Sequence, residues 1–416
     1  MPKAVLCVAD KDQKVFDLPG YLACGQAGDA VSLLSSRDLV PLPPGSNLFF
    51  LPDRSPVAFN IARNDYEAVE GVLPVAAFIP PGYTQLLSVA YTQRKGATIL
   101  PLFSYTPVAF YRNAFHVPAI RVDRRKNHDI TGVNRDLLAR AIRRFAGTSN
   151  RMIEHLADCA WVNSCPNAIN FFFGKYEGPL PVSPTCNARC LGCISLQAKG
   201  SCSATQPRLR FVPAPEEIAE VALLHIRAVK DAIVSFGQGC EGEPLMAAGT
   251  IKEAIGIIRK ATPRGTIHMN TNASHTADID ALCRAGLDSI RVSLNSARRE
   301  YYERYYSPKG YGFDDVCASI AVARRQKKFV SLNYLVMPGF TDREDEFRAL
   351  TGLIRRFGVD MIQWRNLNYD PQLYFRKMKV MDDSPQMGIR MVMERVRKLF
   401  PGVRHGYFNV PKGSWK

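Results

Sequence analysis

The 416-residue chain has no apolar run approaching the ~18–20 residues that a bilayer-crossing helix needs. Its longest, Leu73 to Ile79, is interrupted by Pro74 and closed by Pro80-Pro81. There is no low-complexity tract and no repeat of fixed period, which excludes solenoid and low-complexity classes. The opening stretch, MPKAVLCVADKDQK, lacks an apolar segment long enough for a secretory signal. A soluble cytoplasmic protein with no membrane partner is expected. Acidic residues are in deficit, 38 against 54 basic ones, for a net charge of +16. The excess favours acidic partners without choosing among nucleic acid, an anionic substrate and an acidic electron carrier. It is richest between Arg121 and Arg151, with nine basic residues against three acidic, and from Pro371 onward, with ten against three. Aromatic residues are not interleaved with these basic ones as a base-stacking platform requires.

What is present is ordinary globular material, 46% hydrophobic and 22% charged. Its patterning divides the chain. Residues 1–150 carry short apolar runs punctuated by proline and glycine, such as Leu48 to Pro52 and Ile79 to Gly82. They predict a mixed, strand-rich accessory domain with a helix near Asn134–Phe145. Residues 151–177 form a linker that begins with a helical stretch over Ile153–Trp161. From about Gly178 strands and helices alternate, with strands at 180–182, 232–236, 266–269, 289–294, 330–336 and 361–364. Helices are expected at Glu216–Val229, Thr250–Lys260 and Asp345–Phe357. Such alternation means parallel βα units. A full eight-unit barrel takes about 250 residues, so residues 178–370 suffice for six units. The fold class is therefore α/β, a partial parallel (βα)6 barrel with an N-terminal accessory domain. Residues 371–416 form a short basic C-terminal extension with one helix, Gln386–Leu399, and an irregular tail.

The cysteines carry the chemistry. Eleven is an odd number, so a fully paired disulfide framework is impossible, and clusters read as metal or catalytic sites. Directly after the first expected strand come Cys186, Cys190 and Cys193, spaced Cys-x3-Cys-x2-Cys. Three thiolates in one loop can hold one face of an iron–sulfur cubane and leave its fourth iron for another ligand. A zinc knot completed by Cys165 or Cys202 is the structural alternative. Structural zinc sites more often use two Cys-x-x-Cys halves, and this chain holds one half only. The loop also stands at the C-terminal end of a barrel strand, where barrel enzymes build active sites.

This motif after the first strand of a six-unit partial barrel resembles the radical S-adenosylmethionine (radical SAM) superfamily. The resemblance covers roughly residues 178–370. It implies that Cys186, Cys190 and Cys193 hold a [4Fe–4S] cluster whose open iron is chelated by S-adenosylmethionine. It further implies reductive cleavage of that cofactor to a 5′-deoxyadenosyl radical, which abstracts hydrogen from a substrate. The segment Gly239-Cys240-Glu241-Gly242-Glu243-Pro244 resembles the family's Gly-Glu-Pro turn, so Gly242 and Glu243 are expected at the cofactor's amino group. Asn272, Ser293, Asn295 and Asn333, at the ends of the third, fourth and fifth strands, are expected at its ribose and carboxylate. Arg291 is a further candidate for that carboxylate. Many family members place an aromatic residue just before the third cysteine; here that position is Gly192.

No cysteine follows Cys317. Within the resemblance this sets aside peptide maturases and molybdopterin-type cyclases with extra clusters, and RNA methylating members with a C-terminal carrier cysteine. Cys159, Cys165, Cys202 and Cys240 are spaced irregularly and read as buried or incidental cysteines rather than a second cluster. The expected protein is a radical enzyme of unassigned substrate, whose reductant is a low-potential ferredoxin or flavodoxin. An RNA-modifying enzyme is the alternative motivated by the basic segments. A non-enzymatic iron–sulfur or zinc-stabilised scaffold is the alternative from another class.

Overall fold

Short apolar runs broken by proline and glycine become antiparallel strands, because each run buries one face and each breaker turns the chain. The computed structural model describes residues 3–127, 129–130, 132–380 and 384–415. Within it, every strand pair between Val5 and Arg121 is antiparallel. These strands form a 12-stranded and a 3-stranded sheet. Their largest shared core includes Cys7, Ala9, Val75, Ala77 and Val117. Lys416, the end of the expected irregular tail, and residues 381–383 lie outside the described residues.

Three helices follow: α1 (Arg135–Arg143), α2 (Arg151–Trp161) and α3 (Pro166–Phe173). Asn134 and Asn150 cap the first two by accepting from backbone N–H groups of the opening turn. Pro166 opens the third, and Gly174 ends it in the left-handed region.

The remainder is one parallel sheet of seven strands in sequential order. They are β1 (Glu177–Pro179), β2 (Ile233–Phe236), β3 (Thr266–Thr271), β4 (Ser289–Leu294), β5 (Phe329–Val336), β6 (Met361–Asn366) and β7 (Arg404–Gly406). The first and last are not hydrogen-bonded to each other, so the barrel is open. Helices on the outer face bury apolar stripes, such as Ile251, Ala254, Ile255 and Ile258 of α5 (Ala248–Ala261), as amphipathic helices packed on a sheet must. The others are α4 (Pro215–Ala228), α6 (Thr276–Ala285), α7 (Arg299–Tyr306), α8 (Phe313–Arg325), α9 (Glu344–Phe357), α10 (Pro371–Met378) and α11 (Ile389–Leu399).

Two differences from the sequence expectation have plain causes. The first strand lies at 177–179 rather than 180–182, because Pro179 and Pro181 have no N–H to donate to a ladder. Leu180 still donates to the Ser235 carbonyl at 2.8 Å, but Val182 and Ser183 donate instead to the carboxylate of Glu241. The sheet also gains a seventh strand from the C-terminal part of the chain, which pairs with β6 through Met361, Ile362 and Gln363.

The N-terminal sheets are joined to the barrel by buried polar contacts. Thr84 Oγ1 donates to the Trp364 carbonyl, and Asn366 bonds the backbone of Tyr83 and Gln85. Arg54 and Asp370 form an ion pair at 3.2 Å with side chains 1% and 2% exposed. Asp370 also accepts from the N–H groups of Leu100 and Leu373. Removing one partner of such a pair strands a buried charge, so Asp370→Ala is expected to cost about 3–5 kcal/mol. The check is the midpoint of urea unfolding. Arg63→Ala, at the exposed Arg63–Glu67 pair, is expected to leave that midpoint nearly unchanged.

Candidate functional site

The loop after β1 holds Cys186, Cys190 and Cys193, all half-buried. It rests on three elements. From α7, the carbonyls of Tyr306 and Tyr305 accept from the N–H groups of Arg189 and Leu191 at 2.8 and 3.0 Å. From the turn after β2, Gly242 N–H donates to Ser183 O at 2.7 Å and Glu243 N–H to Thr185 O at 2.9 Å. From the end of β3, Asn272 Nδ2 donates to Asn187 Oδ1 at 2.8 Å, and Asn187 Nδ2 donates to Ser274 Oγ.

Gly242 is needed for this closeness. A Cβ on it would stand 1.9 Å from Thr185 O, far inside any permitted contact. Beside it, Glu243 is buried and accepts from Thr271 Oγ1 at 2.5 Å, Asn272 N–H at 2.8 Å and Leu245 N–H at 3.2 Å. Burial raises its carboxyl to about 7, against the lowering effect of these donors. Its carboxylate thus joins the turn to the end of β3, and Gly242, Glu243 and Asn272 stand together against the cysteine loop.

The other expected residues are placed differently. Ser293 pairs across the sheet with Asn333, and Asn333 with Gln363, so Ser293 and Asn333 share one level of β4 and β5. Asn333 Oδ1 is buried without a hydrogen-bond partner. Asn295 is fully buried, its Nδ2 donating to Tyr301 O at 3.2 Å and to Tyr374 Oη at 3.4 Å. It therefore braces α7 and α10, and its Oδ1 has no partner. Arg291 donates to Gln363 Oε1 at 2.8 Å. With Arg365, Glu177, Asn270 and Asn409 it lines a polar cavity of about 120 Å³. Burial, then the nearby Arg365 charge, lowers the Arg291 guanidinium to about 9.

Three contributors were not legible in the sequence. Arg208 donates through Nη2 to Cys193 Sγ at 3.5 Å and through Nε to Ser195 Oγ at 3.1 Å. Tyr305 occupies the space over Gly192, where a Cβ would meet its hydroxyl at 2.7 Å. Glu241 is buried and accepts from the N–H groups of Val182, Ser183 and Gln238 at 2.8, 3.0 and 2.6 Å. All three contacts join residues far apart in the chain or in a pattern with no motif, so no local signal announces them.

The donor set fits an iron–sulfur group: three half-buried thiols on one loop, spaced Cys-x3-Cys-x2-Cys, offer three of the four ligands a cubane takes. Burial, then the charges of Cys193 and Cys186, pushes the Cys190 thiol well above its ordinary range. A cation bound among the three would reverse that preference, since a metal-bound thiol is deprotonated outright.

Residues 180–350 match the family model described as the Radical SAM superfamily. A probable GTP 3′,8-cyclase of Thermococcus kodakarensis is 31% identical over 191 residues, covering 44% of this chain and 56% of that protein. GTP 3′,8-cyclase 2 of Mycobacterium tuberculosis is 32% identical over 138 residues, covering 31% of this chain and 34% of that protein. The chain thus spans a third to just over half the length of these curated relatives. The crystal structure of Streptococcus suis SuiB bound to S-adenosylmethionine shares 10% identity at a TM-score of 0.40, over 67% of this chain and 62% of that one.

Gly242→Ala is expected to force the turn away from the loop. In the metal-free chain, labelling of Cys186, Cys190 and Cys193 by a thiol reagent should then accelerate several-fold, as read by mass spectrometry. Unchanged rates would show that the loop holds its place without that contact.

Proposed function

We propose that this chain, whose residues 180–350 belong to the radical SAM superfamily, is an enzyme that holds a [4Fe–4S] cluster on Cys186, Cys190 and Cys193 and binds S-adenosylmethionine beside it. The observation that carries this reading is the convergence of three thiols, the Gly242-Glu243 turn and Asn272 at one end of an open parallel barrel. When bound, the cluster supplies the electron that splits the cofactor's sulfonium into methionine and a 5′-deoxyadenosyl radical, which takes a substrate hydrogen.

The chain's own residues bind, orient and shield. Arg208 sets a cation against Cys193 and offsets the negative charge that thiolate ligands bring together. The Glu243 carboxylate fixes the end of β3 and stands beside the turn backbone as an acceptor for the cofactor's amino group. Ser293 and Asn333 offer a hydroxyl and an amide to its ribose and carboxylate, and the partnerless Asn333 Oδ1 is an acceptor in waiting. Arg291 and Arg365, which line one small polar cavity, favour a small anionic substrate. The cyclase activity named for the relatives is not carried over, because they match over at most 191 residues and no cysteine follows Cys317. The reductant is a low-potential ferredoxin or flavodoxin, suited to the basic surface.

The test is anaerobic reconstitution with iron and sulfide, dithionite reduction and electron paramagnetic resonance with and without S-adenosylmethionine. A reduced-cluster signal that shifts on addition, with 5′-deoxyadenosine formed, is expected. A signal indifferent to S-adenosylmethionine, or zinc in place of iron in the Cys186 loop, would return the reading to a metal-stabilised scaffold. Cys186→Ala, Cys190→Ala and Cys193→Ala should each abolish 5′-deoxyadenosine formation. Glu243→Ala should weaken S-adenosylmethionine binding more than it lowers iron content.

A further inference from the structure

A second group of soft donors lies outside the cysteine loop. His155 and Cys159 stand one turn apart on α2, so they share a face, and Cys240 approaches from the turn after β2. Both thiols are buried, at 2% and 5% exposure. Cys159 Sγ and Cys240 Sγ each lie 3.4 Å from His155 Nε2, and the three atoms all fall within 4.8 Å of one another. One tetrahedral zinc, with Zn–S near 2.3 Å and Zn–N near 2.0–2.1 Å, sets sulfur and nitrogen about 3.6 Å apart. An imidazole Nε2 has either one lone pair or one N–H, so it serves one sulfur directly and leaves the other to a weak thiol–thiol hydrogen bond between Cys240 and Cys159. A cation between the three atoms satisfies all of them.

We propose that His155, Cys159 and Cys240 form a second metal site, distinct from the cysteine loop, that takes one Zn²⁺. Two thiolates and an imidazole are the donors that select this ion over magnesium or calcium. Binding takes both sulfurs as thiolates and releases the protons they carry. Cys165, whose N–H donates to the Cys159 carbonyl at 3.0 Å, begins α3 in the same neighbourhood. The ion would tie the helices that precede the barrel to the turn that holds the cysteine loop. The site is independent of the radical reading, since it shares no ligand with Cys186, Cys190 and Cys193.

The experiment uses the full chain carrying Cys186→Ala, Cys190→Ala and Cys193→Ala, so that the loop binds nothing. It is freed of metal with a chelator under a reductant and titrated with Co²⁺. One Co²⁺ per chain is expected, with the intense visible bands of tetrahedral cobalt–thiolate, displaced by one equivalent of Zn²⁺. Adding Cys159→Ala or Cys240→Ala should remove the bands. His155→Ala, at a half-buried position, should weaken binding by about ten-fold or more. A chain that stays folded by circular dichroism yet takes up no stoichiometric Co²⁺ overturns the proposal. So do bands that persist unchanged in Cys159→Ala and Cys240→Ala. Should the triple variant not fold, the zinc content of the otherwise unaltered chain decides. One zinc per chain that is lost in His155→Ala supports the site, and none overturns it.

Discussion

A single buried carboxylate, Glu241, sets where the chain leaves the first barrel strand to become the cysteine loop. Two prolines end the first strand early, and the next N–H groups, of Val182 and Ser183, would be orphaned in the interior. Glu241 accepts from both and from Gln238. Its oxygens therefore replace a missing neighbour strand and let the chain leave the sheet as a loop without stranded donors. Burial pushes its carboxyl to about 7, so the contact is made against a real desolvation cost. Because Glu241 adjoins Gly242, the same residue that supports the start of the cysteine loop brings the turn to within backbone contact of it.

The third support of the loop is aromatic. Helix α7 has no aliphatic stripe; its buried face is Tyr301, Tyr302, Tyr305 and Tyr306. The last two offer backbone carbonyls to the loop, and the Tyr305 ring fills the space above Gly192. The glycine at that position is thus the mate of a tyrosine supplied from elsewhere. A Cβ there would stand 2.7 Å from the Tyr305 hydroxyl and a tight 3.3 Å from the Asn368 carbonyl.

This contrast marks how far the sequence can be read. Cys186, Cys190, Cys193, Gly242, Glu243 and Asn272 are legible because each sits at a strand end in a local pattern, and the structure gathers them. The alternation of strands and helices over 178–370 is legible for the same reason, since periodicity is local. Helix α7 escaped because a stripe of tyrosines between charged residues does not register as apolar. Strand β7 escaped because three residues of mixed character, of which only Gly406 is buried, carry no alternation. Arg208, Tyr305 and the grouping of His155 with Cys159 and Cys240 depend on long-range approach, which no spacing rule expresses. Asn295 was legible as a polar strand end, yet packing against Tyr301 and Tyr374 gives it a bracing role as well.

Asn409 spans the open lumen, donating to Glu177 on β1 at 2.9 Å and accepting from Gln363 on β6 at the same distance. Glu177 and Asn409 are 232 residues apart, so this bridge forms only after the whole intervening stretch has been made. Until the ribosome has released that stretch, β1 carries a buried carboxylate whose amide partner does not yet exist. Contacts of such separation slow folding, and nascent barrels with unfinished edges expose surface that invites misassembly. Asn409 thus unites the first and sixth strands, which no ladder joins directly.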